Sequence, residues 1–234
     1  MLLRSSTICS TSSSWSTIGE TVQSILDQTV RPRQIIVVDD GSTDATAATI
    51  AGMRGEITLV SQDNRGPGAA TTAGFDRVVT PFVATLDADD LWLPHKIERQ
   101  AALFHGDPRL AGVFSLARLF ADGAAPDPNG EGAVRRLWTR TTLLFRTEAA
   151  RAVGDFVDMP GQLGEVIDWL ARSRDLAQRH VMVEEILALR RIRPGSLSYD
   201  RDPQRSRGYL ATVRAALERK RRMPKKLATK PTSR

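Results

Sequence analysis

Two clusters of carboxylates stand where short apolar segments end. Asp39 and Asp40 close one such segment, and Asp87, Asp89 and Asp90 follow another. Gathered carboxylates repel each other unless a cation or a donor-rich ligand neutralises them. An Asp-x-Asp spacing also suits a hard divalent ion that binds phosphate oxygens. Because acids are equally ordinary as turn formers and helix caps, either cluster alone is weak evidence, and the two together favour a ligand site.

An alternation of strands and helices must position these acids. The predicted strands cover residues 34–39, 57–60, 82–86, 141–146 and 186–192, and the predicted helices cover 17–26, 45–53, 68–79, 94–104, 163–178 and 203–222. Such alternation is typical of an α/β fold with a mixed, mainly parallel sheet flanked by helices. In open α/β sheets, ligands bind outside the carboxyl ends of the strands, which is where both acidic clusters lie.

Length and charge restrict the class of protein further. The 234 residues carry a net charge of +6, and 41% of them are hydrophobic, which excludes a wholly disordered chain. Residues 205–234 hold eleven basic residues and one acid, which leaves 22 basic and 26 acidic residues, a net charge of −4, in the rest. The positive charge therefore belongs to the C-terminal segment, and we do not expect a nucleic-acid partner on the basis of the net charge. The alternative hypothesis is that this segment binds nucleic acid.

Three motifs resemble glycosyltransferase family 2, whose members have the GT-A fold. They are Val37-Val-Asp39-Asp40-Gly-Ser-Thr-Asp44, Asn64-Arg-Gly-Pro-Gly68 and Leu86-Asp-Ala-Asp-Asp-Leu-Trp92. Gly164-Glu165 with Asp168-Trp169, and Arg190-Arg-Ile-Arg193, resemble the acceptor half of the family. The resemblance covers about residues 17 to 198. It implies a Rossmann-like GT-A domain that transfers a sugar from a nucleoside-diphosphate donor, such as a UDP-sugar, with inversion.

The resemblance implies a role for each acid on the donor side. Asp39 would accept hydrogen bonds from the base or ribose, while Asp40 and Ser42 shape that turn of the nucleotide-sugar site. Asp87 would lie near the ribose. Asp89 would hold Mn²⁺ or Mg²⁺ between the two phosphates, where the ion acts as a Lewis acid for the leaving diphosphate. Trp92 is either a wall of the sugar pocket or a core residue.

The base that deprotonates the acceptor hydroxyl is harder to predict. The aspartate expected from the family's Glu-Asp pair is Val166 here, and valine cannot accept a proton. Glu165 and Asp168 are the carboxylates nearest to it, and we expect Glu165 to serve. Arg193 stands where the family often has histidine. Arginine can pair with the diphosphate but cannot ligate a metal.

The ends of the chain depart from the family pattern. Residues 1–16 are rich in Ser and Thr, and no first strand is predicted in them. Three segments follow: an atypical N-terminal stretch (1–16), a GT-A-like domain (17–200) and a basic C-terminal helix and tail (201–234). The departures leave two hypotheses open, an active transferase and a catalytically impaired binding or scaffold protein.

Partners and location follow from the same features. No apolar run is long enough to cross a bilayer and one cysteine, Cys9, cannot form an internal disulfide, so we expect a cytoplasmic protein. Leu210, Val213 and Leu217 form one stripe of the basic C-terminal helix, which would suit peripheral contact with the inner face of an anionic membrane. The acceptor, lipid-linked or polysaccharide, stays open.

Overall fold

The computed structural model describes residues 4–12, 15–53, 55–158, 164–193 and 206–222. Their strands form one mixed sheet in the order β3-β2-β1-β4-β8-β6-β9-β5, with β7 paired to β6. The strands are β1 (Ser5–Thr11), β2 (Gln34–Asp40), β3 (Ile57–Gln62), β4 (Phe82–Asp87), β5 (Leu91–Trp92), β6 (Leu110–Ala121), β7 (Val134–Arg136), β8 (Leu144–Arg146) and β9 (Arg179–Ile192). The predicted α/β class is confirmed.

Helices cover both faces of this sheet. They are α1 (Trp15–Leu26), α2 (Thr46–Ala51), α3 (Pro67–Phe75), α4 (Lys96–Gly106), α5 (Thr147–Val153), α6 (Glu165–Asp175) and α7 (Ser206–Arg222), with a short 3₁₀ helix at Arg140–Thr142. On one face, Ile18 of α1 and Ile97 of α4 pack around Val37 of β2. On the other, Trp169 of α6 packs in the cluster that contains Ile36. Successive residues of β2 thus point to opposite faces of the sheet and pack into two different apolar clusters.

The prediction that residues 1–16 contain no first strand is wrong. β1 lies between β2 and β4 and pairs with both in parallel. Its Ser and Thr side chains conceal it because they break the apolar run expected of a central strand. Most of them are nevertheless buried, and Ser6 shares a hydrogen bond with the Thr80 hydroxyl (2.7 Å) and donates one to Gln34 Oε1 (2.8 Å). Residues 5–11 are therefore part of the sheet.

The second half of the sheet differs most from the predicted elements. β6 and α5 were not predicted, and residues 140–142 form a 3₁₀ helix where the strand 141–146 was expected to begin. β8 runs antiparallel to both β4 and β6. The predicted basic helix is present as α7, and residues 203–205 and 223–234 of the predicted helix and tail lie outside the described residues.

No helix in the described part of the chain combines the length and the apolar character that crossing a membrane requires.

Candidate functional site

The two acidic clusters lie on either side of β1, at the carboxyl end of the sheet. In the parallel register, Thr11 of β1 is opposite Asp39 of β2, and Ser10 is opposite Asp87 of β4. Neighbouring strands lie about 4.8 Å apart, so the ends of β2 and β4 are separated by about 10 Å, with the end of β1 between them. The buried hydroxyl of Thr11 has no hydrogen-bond partner among the described residues. Thr11 was not predicted as a site residue.

Asp39 closes the turn that follows β2. Its Oδ1 accepts a hydrogen bond from the Ser42 amide at 3.0 Å, and the residue is buried. Gly41 adopts a φ of +75°, and a Cβ on it would lie 2.7 Å from the Asn64 amide nitrogen. This turn therefore requires glycine. It holds the Ser42 amide against the Asp39 carboxylate.

Asp40 organises the loop before α3. One carboxylate oxygen accepts hydrogen bonds from Gln62 Nε2 (2.7 Å) and the Arg65 amide (2.9 Å), and the other accepts from the Gly66 amide (2.9 Å). Both carboxylate oxygens of Asp40 therefore accept hydrogen bonds from the protein. Asp40 was expected to shape the turn after β2, and its hydrogen bonds instead hold the loop before α3, so that it does not present a free carboxylate to a nucleotide.

Another carboxylate fills the start of α3. Asp158 accepts hydrogen bonds from the amides of Gly68 and Ala69, each at 2.8 Å. A Cβ on Gly66, whose φ is +97°, would lie 2.9 Å from the Asp158 carboxyl carbon. A helix N-terminus attracts anions, and here a side chain of the same protein takes that place.

Arg140 joins the carboxylate at the end of β4 to the start of α6. Its Nε lies 2.8 Å from Asp87 Oδ1, and its Nη1 lies 3.4 Å from Glu165 Oε1. Nη1 also donates hydrogen bonds to the Pro67 carbonyl oxygen (3.2 Å) and to Thr71 Oγ1 (3.4 Å). Although burial opposes the charge, Asp87 and Glu165 raise the pKa of Arg140. Arg140 has no motif around it, and sequence reasoning missed it.

Asp89 and Asp90 differ in their access to a ligand. The Asp89 side chain is 22% exposed, and its Oδ2 lies 3.5 Å from Arg193 Nη2. Burial, followed by the charge of Asp87, raises the pKa of Asp89. Asp90 is buried and accepts hydrogen bonds from the Arg191 amide (2.9 Å) and the Thr141 hydroxyl. Asp90 therefore ties the turn after β4 to β9, while Asp89 remains accessible.

The residues around Asp89 fit a divalent ion that is completed by a ligand. Among the described residues, no three His, Cys, Asp or Glu side chains are grouped to hold a metal. Mg²⁺ is commonly bound by one or two carboxylates together with substrate phosphates. Asp89 supplies one such carboxylate, and the repulsion from Asp87 that raises its pKa favours a cation nearby. The donor set thus fits an ion that arrives with a phosphate ligand.

The start of α6 separates the candidates for the base. Glu165 is the first residue of the helix, its side chain is 10% exposed, and it approaches Arg140. Burial raises the pKa of Glu165, and Arg140 opposes that shift. Val166 packs into the apolar cluster with Trp169 and Phe156. The residue at the family's base position thus belongs to the core.

Asp168, predicted as a second catalytic candidate, is held in ion pairs. Its Oδ2 lies 2.8 Å from Arg172 Nε, and its Oδ1 lies 2.8 Å from Arg219 Nη1 of α7. The side chain is 3% exposed. Because both oxygens pair with guanidinium groups, Asp168 is not a free base and instead attaches α7 to α6. This geometry favours Glu165 over Asp168 as the candidate for the base.

Two further side chains belong to the core. Trp92 is buried and donates its indole hydrogen to the Thr141 carbonyl oxygen at 2.8 Å, which favours the core alternative over a wall of the sugar pocket. Cys9 is buried in β1, and its burial raises the pKa of the thiol. Cys9 therefore packs as a small apolar residue of the core and does not act as a nucleophile.

Sequence relatives place these features in a family. The chain matches the family described as glycosyl transferase family 2 over residues 6–147. An uncharacterised glycosyltransferase of Nostoc sp. is 38% identical over 91 residues, covering 37% of this chain and 28% of that protein. The succinoglycan biosynthesis protein ExoO of Rhizobium meliloti is 30% identical over 141 residues, covering 56% of this chain and 40% of that protein. The chain spans less than half the length of these relatives.

Two solved structures that hold nucleotide sugars have a similar fold. A mannosyltransferase from Pyrobaculum calidifontis, in complex with GDP-Man and Mn²⁺, matches 92% of this chain and 64% of its own, with a TM-score of 0.70 and 19% identity. S. aureus TarS in complex with UDP-GlcNAc matches 92% of this chain and 65% of its own, with a TM-score of 0.69 and 20% identity. These likenesses establish the GT-A fold. On the family match over most of its length, the chain belongs to glycosyl transferase family 2.

Proposed function

We propose that the chain transfers a sugar from a nucleoside-diphosphate donor to an acceptor hydroxyl, with inversion and with a divalent ion. The observation that carries the proposal is the meeting of Asp39, Asp87 and Glu165 at one end of the sheet, the first two on either side of β1 and the third through Arg140. The similar folds were solved with UDP-GlcNAc or GDP-Man, which supports a nucleotide sugar as the donor.

The donor half uses the residues around β1. The Asp39 carboxylate accepts hydrogen bonds from the base or ribose, and Asp87 serves the ribose side. Arg193 pairs with the diphosphate as a guanidinium. Asp89 holds the Mn²⁺ or Mg²⁺ ion, which when bound stabilises the charge on the departing diphosphate. Asp40 and Ser42 act indirectly, by fixing the turn and the loop that surround the nucleotide.

Glu165 accepts the proton on the acceptor side. The acceptor oxygen forms a bond to the anomeric carbon as the bond from that carbon to the diphosphate oxygen breaks, and the hydroxyl proton passes to Glu165. Burial raises the pKa of Glu165, which makes its carboxylate a stronger base than an exposed one. Two relatives are named succinoglycan biosynthesis proteins, which supports a saccharide acceptor, and both a polysaccharide and a lipid-linked saccharide fit this proposal.

A catalytically impaired binding or scaffold protein is the second candidate. It is favoured by Val166, which occupies the expected base position and packs into the core. It shares the donor half with the leading proposal and differs from it only in turnover. Measurements of binding and turnover therefore separate the two.

Calorimetric titration with UDP and with GDP, in the presence of Mn²⁺, tests the donor site. We expect one nucleotide to bind, Asp39→Ala to weaken that binding, and Asp89→Ala to remove its dependence on Mn²⁺. Absence of binding by both nucleotides would contradict the proposal. Release of nucleotide from UDP-GlcNAc or GDP-Man, with polysaccharide and lipid-linked acceptors supplied, then measures turnover. Binding without release would support the impaired protein.

Contact with the inner face of an anionic membrane is a separate proposal, and it implies a cytoplasmic location. It is supported by α7, in which Leu210, Val213 and Leu217 are 59%, 54% and 52% exposed. The exposed Arg214 and Arg221 supply positive charge beside them. Co-sedimentation with vesicles containing phosphatidylglycerol should fall when the three apolar residues are changed to serine. Unchanged co-sedimentation would count against the contact.

A further inference from the structure

Arg140 lies at the junction between the two halves of the site. It belongs to the 3₁₀ helix that precedes β8, and its carbonyl oxygen accepts a hydrogen bond from Thr85 Oγ1 of β4 at 2.9 Å. Its guanidinium reaches Asp87 at the end of β4 and Glu165 at the start of α6. The backbone of Arg140 is thus fixed to β4 while its side chain extends to α6.

The contacts of Arg140 require the shape of a guanidinium. Nε points to Asp87, and Nη1 points to Glu165 and to the Pro67 carbonyl oxygen, so that different nitrogens serve different partners. The side chain is 12% exposed, and those of Asp87 and Glu165 are 22% and 10% exposed. A lysine ammonium is a single point of charge and cannot reproduce this planar fork.

We propose that Arg140 is a positioning residue that fixes Glu165 relative to Asp87, so that the base and the donor-side carboxylate keep one geometry. The inference rests on the proposed function for the roles of Asp87 and Glu165. The link itself rests on the geometry alone. Arg140 acts through these two carboxylates and is not proposed to touch the sugar.

The charges that face Glu165 define what loss of Arg140 would do. Asp87 comes from the end of β4, Asp158 from the segment after α5, and Arg140 from the 3₁₀ helix. Burial raises the pKa of Glu165 most, Arg140 lowers it, and the two aspartates raise it further. Removing Arg140 would leave Glu165 with burial and like charges, and its pKa would rise further.

The test compares Arg140→Met and Arg140→Lys with a matched control, Arg146→Met. The Arg146 side chain is also part-buried, and it donates hydrogen bonds to the carbonyl oxygens of Leu110 (2.9 Å) and Phe104 (3.1 Å) rather than to carboxylates. Carbon-13 NMR of glutamate side-chain carboxyls, assigned with Glu165→Gln, follows the titration of Glu165 in the full chain without nucleotide. Arg140→Lys keeps the positive charge and tests the fork if Arg140→Met does not fold.

We expect Arg140→Met to raise the pKa of Glu165, Arg140→Lys to raise it less, and Arg146→Met to leave it unchanged. Where nucleotide release is measurable, Arg140→Lys should lower kcat about tenfold or more and move the acid limb of its pH profile upward. An unchanged Glu165 titration in both Arg140 variants overturns the proposal. Because the titration uses no nucleotide, it tests the Arg140 link even if neither UDP nor GDP binds.

Discussion

Asp40 Oδ2 accepts the amide hydrogen of Gly66 at 2.9 Å, and this bond ties the end of β2 to the loop that begins α3. The other oxygen accepts from the Arg65 amide and from Gln62. Asp40 thus connects segments that are distant in the sequence. Its neighbour Asp39 accepts a hydrogen bond from Ser42, only three residues along the chain. If the proposed function holds, Asp40 shapes the loop while Asp39 is left to bind the nucleotide.

Asp40→Asn should destabilise the fold more than Asp39→Asn. The amide of asparagine would direct hydrogens toward backbone amides that need an acceptor, at a cost of about 1–3 kcal/mol in the free energy of unfolding. Urea unfolding measures this loss. Asp39→Asn should retain most of the stability and lose nucleotide affinity instead. Equal stabilities of the two variants would contradict the division of roles.

Gly68→Ala should destabilise the start of α3. A Cβ there would lie 2.9 Å from Asp158 Oδ2 and 2.9 Å from the Phe156 carbonyl oxygen, and the latter is backbone that cannot move freely. We expect a loss of about 1–3 kcal/mol in the free energy of unfolding, measured by urea titration.

Gly19→Ala is the matched control, since a Cβ on Gly19 meets nothing within 4 Å. In the interior of α1 it should raise stability by about 0.5–1 kcal/mol, because alanine loses less backbone entropy than glycine. A Gly68→Ala variant as stable as the original chain would show that Asp158 does not hold this loop tightly.

The parts of the fold that sequence predicted well are those whose apolar residues are contiguous. β2 and β4 are mainly apolar, mostly buried segments that end in acids, and both were predicted within one or two residues of their bounds. β1 was not predicted because most of its buried side chains are Ser and Thr, which are more typical of a surface segment. Its position is specified by the strands on either side of it rather than by its own pattern.

The site shows the same contrast. The acids at the ends of β2 and β4 were predictable, since parallel strands bring their carboxyl ends to one edge. The arginine that links Asp87 to Glu165 was not, because its partners lie 53 and 25 positions away in the sequence (residues 87 and 165 against 140) and no spacing rule relates them. The ion pair of Asp168 with Arg219 could not be predicted either, because Arg219 comes from α7.

Glu165→Gln should lower turnover, whereas Asp168→Asn should lower the stability of the fold. Glu165→Gln removes the proposed base and should reduce sugar transfer by about 10²–10⁴-fold, with nucleotide affinity retained. Asp168→Asn weakens the pairs to Arg172 and Arg219 and should lower the free energy of unfolding by about 1–3 kcal/mol. Nucleotide release and urea unfolding, measured on both variants, check the assignment. Loss of turnover in Asp168→Asn at full stability would return the base to Asp168.

The burial of Lys96 should make the free energy of unfolding depend on pH. The side chain is fully buried, and its Nζ donates hydrogen bonds to Gln100 Oε1 (2.9 Å) and the Leu143 carbonyl oxygen (3.2 Å) and lies 4.1 Å from the centre of the Trp92 ring. No carboxylate compensates the charge in these contacts. Burial therefore lowers the pKa of Lys96 well below its ordinary value.

The direction of the effect follows from proton uptake on unfolding. Between the lowered pKa of the folded state and the ordinary lysine pKa of about 10.4, the unfolded chain binds one more proton at Lys96 than the folded chain. The free energy of unfolding must then rise with pH across this window, by up to about 1.4 kcal/mol per pH unit. Protonation at lower pH favours the unfolded chain.

Lys96→Met should abolish this contribution. Urea unfolding at several values between pH 7 and pH 10 should give a steeper rise in stability for the original chain than for the variant. Lys220→Met in α7 controls for the removal of a lysine as such. Parallel pH dependences of the original chain and Lys96→Met would mean that the buried amine stays protonated in the fold. That result would require an anionic partner, which none of the contacts of Nζ supplies, so the difference in slope tests the burial of Lys96 directly.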